Sequence, residues 1–156
     1  MELQKYLATA QPDIVLLQET WLTKDSMVSF PGYAVIRKDR PPDYGAQAGG
    51  VATLVCKDAG IKYDKIDEDI TPNDRCTDVL LVKIVWRGHT FILTNIYSPP
   101  HSSRPTKLPG FTADYTLAAC LNLCPNQIFA EDLNAHSSIW DSREAILPNK
   151  DGEEME

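Results

Sequence analysis

The sequence predicts a mixed α/β domain with a sheet at its core. A stretch of helical spacing opens the chain, several apolar runs of strand length follow it, and a second helical stretch stands before the last of them. Helix, strands with a hairpin, helix, strand is the order of a domain whose strands form the core and whose helices cover it. The 156 residues suit one domain of ordinary size rather than two. With 43% hydrophobic and 24% charged residues, the composition is that of a globular chain and not a disordered one.

Residues 2–10 predict a short helix, because Leu3, Tyr6, Leu7 and Ala10 recur at helical spacing. Pro12 ends it, since the residue before a proline is pushed out of the helical region. The continuous apolar run DIVLLQ at 13–18 reads as a strand buried on both faces. Residues 33–37 (YAVIR) and 50–56 (GVATLVC) are two further strands. Residues 37–50 between them hold two prolines and three glycines and read as a loop. That loop also carries the densest basic cluster, Arg37, Lys38 and Arg40. Residues 79–86 (VLLVKIVW) and 89–97 (HTFILTNIY) are the clearest strands. Arg87 and Gly88 between them suit a tight hairpin, with Gly88 supplying a positive φ. Pro99 and Pro100 stop the second strand, and 102–110 is a polar loop. Residues 112–124 predict a helix, with Thr112 as its cap and Tyr115, Leu117, Ala118, Leu121 and Cys124 on its apolar side. QIFA at 127–130 is a short strand running into Glu131 and Asp132, and 133–148 read as irregular.

Charge and cysteine usage narrow the function classes. There are 15 Lys and Arg against 22 Asp and Glu, a net charge of −7. Asp151, Glu153, Glu154 and Glu156 crowd the C-terminal tail, so the body is only mildly acidic. No basic surface marks a protein that coats nucleic acid. An enzyme that meets phosphates through a metal ion stays open. No apolar run nears the roughly 18 residues of a membrane span, and the start MELQKYLATAQPD lacks the basic and apolar regions of a signal peptide. The expectation is an intracellular chain, nuclear or cytoplasmic, with no membrane partner. Cys56, Cys76, Cys120 and Cys124 form no CxxC pair and read as small buried hydrophobes in a reducing compartment. His89, His101 and His136 show no ligand spacing to them.

Polar clusters stand at the ends of apolar strands: Gln18, Glu19 and Thr20 after the first, Asn95 to Tyr97 at the end of the hairpin, and Glu131, Asp132, Asn134 and His136 after the last. Rigid strands hold such side chains while the following loops leave room for a ligand. Two carboxylates from separate strands make a hard-oxygen site suited to Mg²⁺, which can polarise a phosphate oxygen. A solvated acid or a helix cap is the competing reading of either position.

The wording of four motifs adds to this. PDIVLLQETWL at 12–22, GGVATLV at 49–55, TNIYSPP at 94–100 and EDLNAHSSIW at 131–140 occur in this order. Together they resemble the endonuclease/exonuclease/phosphatase superfamily, and more narrowly the endonuclease domain of LINE-type (non-LTR) retrotransposon polyproteins. The resemblance runs over nearly the whole chain. It implies a DNase-I-like fold, a two-sheet sandwich flanked by helices in four layers (α/β/β/α). It implies a metal-dependent endonuclease that nicks DNA with Mg²⁺ or Mn²⁺, with a reverse-transcriptase domain of the parent polyprotein as a partner.

The resemblance gives Glu19 the role of metal-binding glutamate and Tyr97 that of the tyrosine at the scissile phosphate. Asp132 becomes the aspartate that positions and activates the attacking water, and Asn134 a hydrogen-bond donor to phosphate or water. His136, Arg37, Lys38 and Arg40 are candidate DNA contacts, with solvated surface charge as the alternative for the three basic residues. Asn95 reads as a structural hydrogen-bonder. Members of the family carry an asparagine-bearing strand ahead of the first helix and a Ser-Asp-His behind the last motif, neither of which matches residues in 1–156. The chain is therefore expected to be a single partial domain, and a catalytically inactive remnant is the alternative function. Glu131 stands where the family has glycine and sets a second carboxylate beside Asp132. An inositol-phosphate or sphingolipid phosphodiesterase is a further alternative that ETWL and NAHSSIW disfavour.

Overall fold

A strand whose residues are buried along both faces must be covered on both sides, and the segment 51–56 (VATLVC), apolar but for the buried Thr53, is such a strand. The computed structural model describes residues 2–41, 49–67, 77–100, 125–132 and 134. In chain order they form α1 (Glu2–Ala10), β1 (Ile14–Leu17), β2 (Tyr33–Lys38), β3 (Val51–Cys56), β4 (Lys62–Ile66), β5 (Asp78–Trp86), β6 (His89–Tyr97) and β7 (Gln127–Asp132). β3 is the middle of a three-stranded antiparallel sheet, β1-β3-β2. A second sheet runs β4-β5-β6-β7, antiparallel except for the parallel pair β6–β7.

Alternation along β3 sends its side chains two ways. Val51 and Val55 enter the core with Ile36, Leu80, Val82, Ile84, Leu93 and Tyr97 from both sheets. Leu54 goes to the other face, where Leu7 of α1 and Tyr33 cover it with Leu3, Val15, Leu17 and Phe30. The described residues thus make three layers: helix, sheet, sheet. Leu54, Leu80 and Ile84 are each at most 1% exposed, and burying such a side chain contributes roughly 1.5–3 kcal/mol.

Three details differ from the sequence expectation or refine it. β1 is only half-buried along its length, not covered on both faces, because it stands at the end of its sheet's strand order. β4 has no counterpart in the sequence reading. Four of its five residues are exposed and its sequence KYDKI is charged, so no apolar signal marks it, and charge is what protects such an edge from further pairing. The β5–β6 turn has positive φ at both central residues, Arg87 at 50° and Gly88 at 82°, the arrangement that suits a two-residue hairpin. The Arg87 guanidinium lies 4.6 Å from the Trp86 ring. The expected helix at 112–124, the loop at 102–110 and Cys76, Cys120, Cys124, His101 and His136 lie outside the described residues, as does the 133–148 segment apart from Asn134. Cys56 is a free, partly buried thiol.

Candidate active site

Strand register alone collects the polar residues at one edge of the sandwich. In the first sheet Lys38 pairs with Val51, and Leu17 with Ala52. In the second, Asp78, Tyr97 and Asp132 stand side by side. The residues following β1 and β2, those preceding β3 and the ends of β5, β6 and β7 therefore share this edge.

Asn95 joins the two sheets there. It is fully buried and donates through Nδ2 to the carbonyls of Leu17 (3.1 Å) and Ala52 (3.0 Å), while its Oδ1 accepts from Gln18 Nε2 at 2.8 Å. The end of β1 is thereby fixed against β6 just before Glu19. Glu19 has a φ of 48°, a left-handed conformation uncommon for residues other than glycine. Its Oε1 accepts a 2.5 Å hydrogen bond from the Tyr97 hydroxyl. The phenol is 2% exposed. Burial, then the hydrogen bond to Glu19 and the charges of Glu19 and Asp132, push the Tyr97 pKa above its ordinary value, with Arg40 opposing. Tyr97 is therefore a protonated donor that orients the Glu19 carboxylate.

Asp132, at the exposed end of β7, is the register partner of Tyr97. Adjacent strands stand about 4.8 Å apart, so the aspartate is a neighbour of the Tyr97–Glu19 pair. Its backbone carbonyl accepts from Ser98 N at 2.8 Å. Asn134, with φ 52°, donates its N–H to Asp132 Oδ1 at 3.3 Å and its Nδ2 to the Ser98 carbonyl at 2.9 Å. Glu131 pairs with Ile96, so alternation places it on the opposite face of β7 from Asp132.

The basic cluster does not form one open patch. Arg37 donates to the carbonyls of Ser26 (3.0 Å) and Thr23 (3.2 Å) and pairs with Asp39 at 3.3 Å. Lys38 ends β2, partly buried. Arg40 does not fit the expectation of a DNA contact: its side chain is 6% exposed and pairs with the equally buried Asp78 at 2.7 Å. The residue turns inward because Asp78, at the start of β5, gives it a carboxylate within the sandwich edge. His136 lies outside the described residues. Sequence reasoning missed Asp78, and it named Gln18 in a strand-end cluster and Gly49–Gly50 in a motif without giving them a role, because their partners are distant in the chain. It also passed over Trp21, which is 59% exposed two residues beyond Glu19. An aromatic in a polar post-strand segment was the available signal.

The donor set suits a hard divalent cation. Glu19 is exposed as a residue, and with Oε1 held by Tyr97 its second oxygen is the natural ligand atom. Small divalent cations can be held through one or two protein carboxylates, with waters or phosphate oxygens in their other positions, and the oriented glutamate and the exposed aspartate are the carboxylates this edge offers.

Two packed sheets with an acid-bearing edge of this kind define a DNase-I-like sandwich, and the comparisons with known proteins agree. A profile of the Endonuclease/Exonuclease/phosphatase family matches residues 2–148, and the chain belongs to that family. The endonuclease domain of TRAS1, a telomere-specific non-LTR retrotransposon, superposes with a TM-score of 0.68 at 22% identity, over 99% of this chain and 61% of that one. TDP2 from D. rerio, complexed with single-strand DNA product, gives a TM-score of 0.54 at 16% identity, over 88% of this chain and 54% of that one. Truncated Caenorhabditis elegans TDP2 gives 0.53 at 19% identity, over 86% and 54%. The chain thus spans between about half and three-fifths of the length of these structures. No curated protein matches it. Among the described residues no helix is long and apolar enough to cross a membrane.

Proposed function

We propose that this chain is a metal-dependent phosphodiesterase domain that nicks DNA, as in target-primed retrotransposition. The observation that carries the reading is the meeting of Glu19 and Tyr97 across the two sheets at 2.5 Å, beside Asp132 on the adjoining strand. The resemblance in fold to a retrotransposon endonuclease domain and to a protein complexed with a DNA product supports it. A reverse-transcriptase domain of the same polyprotein is the proposed partner, and the proposed setting is intracellular, nuclear or cytoplasmic.

Phosphodiester hydrolysis needs a positioned water, a base for its proton and positive charge on the phosphate oxygens. A bound Mg²⁺ or Mn²⁺ supplies that charge. Glu19, oriented by Tyr97, would hold such a cation. Asp132, exposed and adjacent, accepts the proton of the attacking water. Asn134, tied to both Asp132 and Ser98, fixes the turn from which Asp132 acts and brings an amide to the same place.

Nicking of supercoiled plasmid tests this. The wild-type chain is expected to nick with Mg²⁺ and not with EDTA, and Glu19→Ala and Asp132→Ala each to lower the rate roughly 10²–10⁴-fold. No metal-dependent nicking, or nicking by both variants at the wild-type rate, would sink the proposal and favour a non-catalytic chain of the same fold.

A further inference from the structure

We propose that the buried Arg40–Asp78 ion pair is a positioning element of this site, setting Glu19 against Tyr97 without touching DNA. The inference rests on the phosphodiesterase reading above. Arg40 Nη2 lies 2.7 Å from Asp78 Oδ2 and Nε 3.4 Å from Oδ1, so the planar guanidinium is held by a two-point fork. Two arms run from the pair to the site. On one side the guanidinium carbon lies 5.5 Å from the centroid of the Tyr97 ring, within cation–π range, and that ring's hydroxyl holds Glu19. On the other, Asp78 Oδ2 accepts the Gly50 N–H at 2.7 Å. The Gly50 carbonyl accepts Thr20 N–H at 3.1 Å, and the Gly49 carbonyl accepts Trp21 N–H at 2.9 Å. The turn that follows Glu19 is therefore clamped to a diglycine whose own place Asp78 fixes.

The glycines are required for this contact. A Cβ on Gly49 would lie 2.4 Å from Arg40 Cζ, and one on Gly50 2.7 Å from Thr20 Oγ1. Their φ values of 130° and 82° are ones other residues rarely adopt. Stability alone does not explain a charged pair here, because a well-packed hydrophobic pair of similar volume is often as stable as a buried ion pair. A hydrophobic pair cannot reproduce the carboxylate on the Gly50 N–H or the cation on the Tyr97 ring. Both contacts lead to the reacting edge.

The test compares Arg40→Lys, Gly49→Ala and the double variant Arg40→Met with Asp78→Leu against wild type, by plasmid nicking with Mg²⁺, salt-dependent DNA binding and amide NMR. The double variant removes both charges together, so no unpaired charge is left buried and it is expected to fold, with a melting temperature lowered by the Gly50 N–H that loses its acceptor. In each variant kcat should fall at least about tenfold, toward the ~10²-fold that an ångström of misplacement can cost, while KM and the salt slope of DNA binding stay unchanged. The amide resonances of Gly50, Thr20 and Trp21 should shift in all three. If Arg40 instead contacts a phosphate, its loss weakens binding and lowers the salt slope by about one, which overturns the inference. So does a change in kcat of less than twofold in a folded variant. A wild-type chain that never nicks refutes the functional reading alone. The positioning inference is then decided by the amide resonances, standing if those three shift together and failing if they do not.

Discussion

Replacing Asn95 gives the sharpest test of how the two sheets are joined. The side chain is fully buried and makes three hydrogen bonds, to Gln18, Leu17 and Ala52. Asn95→Leu keeps the volume approximately and removes all three. At about 1 kcal/mol net for each bond, the expected loss is about 3 kcal/mol, a large share of the 5–15 kcal/mol typical of a domain. Asn95→Asp has the right shape and keeps an acceptor for Gln18, but it points a carboxylate at two carbonyl oxygens in a site without solvent. Burial raises the pKa of that carboxyl in the folded state. Its penalty is therefore small below the unfolded value near 3.9 and grows as pH rises through the folded value. Urea unfolding followed by circular dichroism at pH 5 and pH 7 measures both effects. Asn95→Asp should be the less stable of the two at pH 7 and should recover on acidification. An Asn95→Leu loss under about 0.5 kcal/mol, or an Asn95→Asp stability indifferent to pH, would refute the view that this amide is the polar tie between the sheets.

Two further outcomes follow from the same edge. Tyr97 and Tyr33 both have pKa values raised first by burial, with the Glu19 bond adding at Tyr97 and nearby Cys56 and Asp13 at Tyr33. Each contributes stability that is complete below the ordinary tyrosine pKa of 10 and is lost as pH climbs toward the folded value. Tyr97→Phe should remove one late phase from an alkaline absorbance titration at 295 nm, leave that of Tyr33, and flatten the stability decline above pH 10; an unchanged titration would count against the buried phenol. Trp21 is exposed, with a φ of 55° and its N–H on the Gly49 carbonyl, and under the proposed function its indole would be a stacking surface for a nucleobase. Trp21→Ala should weaken binding of a single-stranded oligonucleotide by about 1–3 kcal/mol, read by fluorescence anisotropy in EDTA, whereas equal affinities would exclude that contact.

Much of this protein was legible as local pattern. Helical spacing of Leu3 and Leu7 gave α1, and apolar runs closed by Gly88, Pro12 and Pro99 gave β1, β5 and β6 nearly to their ends. β4 escaped because its exposed, charged residues carry no periodic apolar signal. Asn95 and Tyr97 showed as polar residues at the end of a strand, yet nothing in their spacing says that the amide crosses to Leu17 and Ala52 or that the phenol holds Glu19.

The sequence by itself determined the elements, their order and the strand ends on which acids and amides stand, because these follow from interactions between residues close in the chain. Only the tertiary structure decided which of those ends meet. Arg40, an exposed cation by composition, became half of an internal pair because antiparallel register brings β5's first residue beneath the loop that follows β2. Glu19 acquired its donor because Asn95 ties one sheet to the other at that level. Such pairings join residues 38 to 78 positions apart, and the stacking of two sheets, which no local pattern encodes, sets them.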